Sequence, residues 1–144
     1  MPRALLLLVV MFVASGCGTR EFELSPVSGI VTLDGTPVAG ARVIFEPMRT
    51  GQQALAAGPS SDGTTDEAGR YSLELTSDGT LGAVVGDHSV TISTYLAEFD
   101  RSRNVGQVVR KEEIPPRYFE PDALMFKVPA EGTEQANFPL VTRE

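Results

Sequence analysis

From Val27 to the end of the chain, apolar and polar positions alternate in short runs. Val27, Gly29, Val31 and Leu33 share one face of an extended segment, and Asp34-Gly35 follows as a tight-turn pair. Ala41, Val43 and Phe45 alternate with Arg42, Ile44 and Glu46, and Tyr71, Leu73 and Leu75 alternate with Ser72 and Glu74. Val90 and Ile92 follow Gly86-Asp87 with His88 in phase. Leu124, Phe126 and Val128 follow Pro121-Asp122, and Ala136, Phe138 and Leu140 come last. Gly, Pro, Asp and Asn separate these runs, and no stretch carries a helix-length apolar period. The pattern predicts an all-β chain, an antiparallel β-sandwich of about seven strands.

Two stretches break the rhythm. Residues 48–63, rich in Gly, Ala, Gln and Ser, read as a flexible loop. Residues 95–122 form a charged connection containing Pro115-Pro116 and the aromatics Tyr95, Phe99, Tyr118 and Phe119. Connections of that length in a small domain are often functional. Tyr95, Tyr118 and Phe119 are therefore the candidate ligand contacts, rings that stack on a sugar or anchor a partner. The competing structural role is to cap the open end of the sandwich.

The first seventeen residues set the expected location. Arg3, an apolar run from Ala4 to Val13 and the small residues Ala14-Ser15-Gly16 form the three parts of a secretory signal peptide. The run is shorter than the about 20 residues that a spanning helix needs. Ala14-Ser15-Gly16-Cys17 resembles the bacterial lipobox, with Ala14 where leucine is favoured. The resemblance implies cleavage before Cys17 and its modification with diacylglyceryl and a further acyl chain such as palmitate. An ordinary cut after Gly16, releasing a soluble chain, is the alternative. The expected division is a signal peptide over 1–16, a lipidated cysteine and tether over 17–26, and a domain over 27–144. Gly18 and Thr19 after the cysteine, by the same resemblance, favour the outer membrane of a Gram-negative envelope, on its periplasmic or surface side.

Composition narrows the partners. The chain has a net charge of −7, and its best basic cluster, Arg101, Arg103, Arg110 and Lys111, lies among Asp100, Glu112 and Glu113. Such a surface repels polyanions, so no nucleic-acid partner is expected. The single cysteine excludes an internal disulfide and a thiolate zinc site.

The run Val27-Ser28-Gly29-Ile30-Val31-Thr32-Leu33-Asp34-Gly35-Thr36-Pro37-Val38-Ala39-Gly40-Ala41-Arg42-Val43 resembles the opening of a carboxypeptidase regulatory-like domain, a transthyretin-like sandwich related to Cna-B repeats. Thr65-Asp66-Glu67-Ala68-Gly69-Arg70-Tyr71 matches that group's T-D-x-x-G-x-Y pattern, and Gly86-Asp87-His88-Ser89-Val90-Thr91-Ile92 resembles its G-x-Y-x-V-x-V strand. With the lipobox, the whole chain resembles small bacterial lipoproteins of the planctomycete type. These motifs are turn chemistry and carry fold, not function.

Other chemistry finds little support. His88 is the only histidine and points coreward. A single histidine, and a C-terminus lacking Tyr-Arg-Gly-Ser, argue against the transthyretin-like hydrolases that open hydroxyisourate. Asp62, Asp66 and Glu67 lack EF-hand spacing, and Asp66 reads as a turn cap. Asn137 invites comparison with the Lys-Asn crosslink of Cna-B domains, but the first strand has no lysine and Lys127 lies in the neighbouring segment. No G-x-S-x-G elbow occurs. The expectation is no enzyme, no cofactor and no metal. What remains is a lipid-anchored binding or structural module serving adhesion, scaffolding or contact with an envelope protein or polysaccharide. The alternative is a carbohydrate-binding or carbohydrate-active accessory protein that uses residues 95–122.

Overall fold

The computed structural model describes residues 22–49 and 57–143. Cys17, the signal segment and residues 50–56 lie outside the described residues. The described residues are all-β apart from one 3-10 turn. In chain order its strands are β1 (Leu24–Ser25), β2 (Ser28–Leu33), β3 (Thr36–Pro37), β4 (Arg42–Pro47), β5 (Ser61–Thr64), β6 (Arg70–Ser72), β7 (Glu74–Leu75), β8 (Ala83–Val84), β9 (Gly86–Ser93), β10 (Leu96–Asp100), β11 (Val105–Arg110), β12 (Met125–Val128) and β13 (Phe138–Leu140). The 3-10 turn is Pro116–Phe119.

One five-stranded sheet runs β12-β9-β4-β5-β7, and a second holds β13, β2 and β3, with β6 also paired to β2. Their inward residues meet in one core. Val43, Phe45, Val90 and Ile92 come from the first sheet, and Val31, Phe138 and Leu140 from the second. Phe45 meets Phe126 at 5.7 Å and Phe138 at 6.1 Å between ring centroids, the tilted and edge geometries that aromatic quadrupoles favour. Every inward position named from the alternation of β2, β4 and β9 is buried or half-buried. Asp34 and Gly35 both take positive φ, which gives the two-residue turn its hairpin twist.

The segment Arg70–Leu75 joins the sheets. Its first half pairs with β2 and its second with β5, and at the switch the Leu73 amide donates to the Val27 carbonyl at 3.0 Å. A single apolar alternation, Tyr71, Leu73 and Leu75, thereby serves both layers.

The structure departs from the sequence pattern at four places. Ser61–Thr64, whose first three residues fall in the loop expected over 48–63, is a strand of the large sheet. Its Ser-Asp-Gly-Thr sequence lacks large apolar residues, so burial came from its neighbours Phe45 and Leu75. Leu24–Ser25, assigned to the tether, pairs with β8, and the buried Ser25 hydroxyl donates to the Pro129 carbonyl at 2.7 Å. The last strand β13 runs parallel to β2, against the antiparallel expectation. The connection over 95–122 contains a hairpin and the 3-10 turn, where no regular element was expected.

Close approach explains Gly29. A Cβ there would overlap the Ala136 carbonyl, at the point where Tyr71 Oη also donates to that carbonyl at 2.6 Å. Asn137 is engaged too, its Oδ1 accepting from the Ile30 amide at 3.0 Å.

Candidate functional site

After Ser93 the chain leaves the large sheet. Among the described residues, strands β10 and β11 pair only with each other, so both outer edges of this two-stranded hairpin lack a strand partner. Cross-strand partners share a face. Ala97 stands opposite Val108 and Phe99 opposite Gly106, which makes one face apolar. Glu98 opposite Gln107 and Asp100 opposite Val105 make the other mixed. Phe99 is 60% exposed and Val108 51%, and Val105 and Val109 are exposed as well. A bulge at Leu96/Ala97 leaves Val109 without a partner of its own. The tip is closed by Asp100, whose Oδ1 accepts from the Ser102 amide at 2.9 Å and hydroxyl at 2.6 Å. Those bonds hold its carboxyl below the usual carboxylate range.

A carboxylate fixes the base of this hairpin. Glu112 Oε1 accepts from Thr94 N at 3.0 Å, Thr94 Oγ1 at 2.9 Å, Glu113 N at 3.0 Å and Ile114 N at 2.9 Å. Oε2 accepts from the Ser93 hydroxyl and from Tyr95 N at 3.4 Å. Partial burial pushes the Glu112 carboxyl up, and these donors outweigh it and bring it to about 2. Both ends of the hairpin, Ser93–Tyr95 and Glu112–Ile114, are thus tied to one side chain. On the outgoing strand, Arg110 Nη1 donates to the Gly40 carbonyl at 2.6 Å, linking the hairpin to the turn before β4. The result is a projecting apolar ribbon on a rigid, charged root.

The expected contact residues are not gathered into one platform. Tyr95 is exposed at the hairpin base. Tyr118 and Phe119 lie on the 3-10 turn, and among the described residues no ring contact joins Tyr95 to either. Tyr118 packs against the core, its hydroxyl accepts from Val141 N at 3.0 Å, and the Arg117 guanidinium lies 4.7 Å from its ring centroid. The Val141 bond holds the phenol below its usual range. Tyr118 thus latches the C-terminal segment through Val141. Phe119 remains exposed.

His88 is 1% exposed and packs 5.6 Å from the Phe45 ring. Its Nδ1 faces the Gly86 carbonyl at 3.0 Å, which assigns the proton to Nδ1, and Nε2 has no partner among the described residues. Burial pushes the imidazole below 6.5. Asp66 caps its turn as expected, Oδ1 accepting from Ala68 N and Arg70 N, both at 2.9 Å. Asp62 lies in β5 and pairs with Arg42 at 2.9 Å.

The surface also holds a cleft of about 520 Å³ beside Pro26, Leu81, Glu131 and Gln135, and a second of about 360 Å³ beside Asp66 and Arg70 that shares the lining residues Ser28, Ser72 and Glu134. Neither lining includes a histidine. Among the described residues no helix is long and apolar enough to cross a membrane, and no group of three or more His, Cys, Asp or Glu side chains is placed to hold a metal ion.

No family model and no curated protein matches the chain. Among solved structures, it is similar to a 9R-lipoxygenase from Cyanothece PCC8801, at 14% identity and a TM-score of 0.38 over 83% of this chain. The chain spans only 16% of that protein's length. At that TM-score the likeness carries nothing about fold family or function. The class defined by the structure is accordingly an all-β domain with a projecting apolar hairpin.

Proposed function

We propose that the protein is an extracytoplasmic lipoprotein, a transthyretin-like β-sandwich held to the membrane through acylated Cys17, and that it works as a non-catalytic contact module. The observation that carries the contact role is the exposed Phe99/Val108 face raised on the Glu112 clasp. A chain that only filled space would gain nothing from a rigid root under an exposed apolar ribbon, because such patches raise the risk of aggregation. The motifs around Asp34-Gly35 and Asp66–Tyr71 support the sandwich family.

Geometry supports an outward-facing contact. The N-terminal segment joins the domain where Glu23 O accepts from Val85 N, next to the start of β9. The hairpin leaves after the end of the same strand, Ser93. At about 3.3 Å per residue the two points lie roughly 25 Å apart. That separation supports the reading that an anchored chain offers the hairpin to an envelope protein or polysaccharide. Two or more acyl chains give stable attachment where one is marginal.

Mass spectrometry of the membrane fraction tests the anchor, with a lipid-modified Cys17 terminus expected. An unmodified Cys17 terminus in the soluble fraction overturns it. The contact is tested by in-cell cross-linking of the full chain to envelope components, with cross-links lost in Phe99→Asp and kept in wild type. Cross-links indifferent to that change refute the hairpin's role. A glycan-array signal abolished by Tyr95→Ala would favour the sugar-binding alternative.

A further inference from the structure

The start of β2 forms the floor of a trough. Val27 bridges to Thr133 on one side, and Ser28 pairs with Ser72 on the other. Beyond Ser72-Leu73, the Gly82 amide donates to the Leu73 carbonyl at 2.8 Å and Leu81 bridges to Glu74, which sets Leu81 on the far flank. Four backbone segments thus lie side by side, and at about 4.8 Å per spacing the Leu81 and Glu134 flanks stand roughly 14 Å apart. The larger cleft is lined from Pro26 to Ser28 and the smaller from Ser28 to Ile30. Together they follow about five residues of extended chain, a length of roughly 16 Å. The two flanks differ in chemistry. Leu81, 73% exposed, stands on one beside Pro26, and the exposed Glu131, Glu134 and Gln135 stand on the other. The larger lining holds no Lys, Arg or His. Among the described residues, neither Glu131 nor Glu134 makes a side-chain hydrogen bond or ion pair, and the Ser28 and Ser72 hydroxyls are likewise unengaged. Arg70, which lines the smaller cleft, has no ion pair either.

We infer that this trough binds an extended peptide that carries a lysine, its methylene stem along Leu81 and Pro26, its ammonium against the Glu131 and Glu134 carboxylates, and an acidic group of the same peptide towards Arg70. The site lies apart from the hairpin and goes beyond the contact role assigned to it. Shape and charge together select the occupant. The width and length suit one extended chain of about five residues. An apolar flank facing a carboxylate flank suits a ligand group that is aliphatic along its stem and cationic at its head, and among side chains lysine joins a flexible four-carbon stem to a compact charge. A polyanion is repelled by the two glutamates. A saccharide finds no exposed ring to stack on, since Tyr71, the one aromatic in either lining, is 4% exposed. A metal ion finds no group of three or more ligating side chains among the described residues. The serine hydroxyls on the floor both donate and accept, as the amides and carbonyls of a peptide require.

The test titrates the full chain, in detergent, into fluorescently labelled pentapeptides with blocked ends and reads anisotropy. The first peptide has lysine at one end, glutamate at the other and glycine and serine between. In the second, norleucine replaces the lysine and keeps the stem without the charge; in the third, ε-acetyl-lysine removes the charge at similar length. The lysine peptide should bind saturably, and each of the other two at least about fivefold more weakly, with the preference shrinking as salt is added. Glu131→Gln/Glu134→Gln, at two exposed positions, should weaken the lysine peptide by at least about fivefold and leave the norleucine peptide unchanged. Arg70→Gln should weaken the peptide that ends in glutamate and not its glutamine counterpart. Absence of saturable binding, equal affinity for the three peptides, or an affinity indifferent to Glu131→Gln/Glu134→Gln overturns the assignment. Phe99→Asp should leave the peptide affinity unchanged. Binding lost in that variant places the peptide on the hairpin and overturns the trough, while the hairpin's contact role stands or falls on its own cross-links.

Discussion

Replacing Glu112 by glutamine isolates the clasp. The carboxyl falls from 4.5 to about 2 in the folded chain, which at about 1.4 kcal/mol per pH unit corresponds to roughly 3 kcal/mol. Solvent reaches this half-buried group, and screening reduces that figure to about 1–2 kcal/mol. The amide also turns one acceptor into a donor, facing either the Ser93 and Tyr95 donors or those of Thr94, Glu113 and Ile114. Glu112→Gln should therefore destabilise the protein by about 1–2 kcal/mol in chemical denaturation. Amide exchange should quicken across Leu96–Arg110 before it quickens in β4 or β9. The pH dependence gives an independent reading. The folded value lies below the unfolded one, so on acidification the unfolded chain takes up the proton first. The clasp's contribution is complete above 4.5 and is lost as pH falls towards 2. Wild type should lose stability across that window and Glu112→Gln should lose less. Equal stability and an equal acid profile in the two proteins would refute the clasp.

Two further changes probe the core. His88 is held neutral with its folded value below 6.5, so protonation favours the unfolded chain and stability should fall as pH drops below 6.5. Melting temperatures between about pH 7 and pH 5 should decline less in His88→Phe than in wild type, and parallel declines would show that another group is responsible. Gly29→Ala sets a methyl group against the Ala136 carbonyl and should cost about 2–3 kcal/mol in denaturant unfolding. A loss under about 0.5 kcal/mol would mean that the β2 contact relaxes freely.

The inward set was legible because period-two burial leaves a direct trace. Val31, Val43, Phe45, Ile92 and Phe138 all fall where alternation puts them. The Asp34-Gly35 turn and the Asp66 cap were equally legible, since each is fixed within a few residues. Strand β5 was not, because Ser61–Thr64 owes its burial to Phe45 and Leu75 and not to its own side chains. The hairpin escaped for a different reason. The bulge shifts register after Leu96, and Val108-Val109 breaks alternation, so neither strand shows a clean period. Glu112 left no signal at all, since its principal donors in Ser93 and Thr94 lie 18 or 19 positions away. Tyr95, Tyr118 and Phe119 were singled out by residue type, and type does not distinguish an exposed ring from one latched to Val141.

The parallel pairing of β13 with β2 has a consequence for how the chain is made. Val31 lies beside Phe138, and Ile30 is bound by Asn137, 107 positions later. The β13 side of the first long strand therefore stays unpaired until almost the last described residues arrive, although β3 and β6 can pair with it earlier. Sequence-distant pairing of this kind slows folding, and it also sets a direction in time. A chain still emerging from the ribosome, or threading through a translocation pore, lacks the strand that closes its core. It stays pliable until β13 has emerged, and then locks.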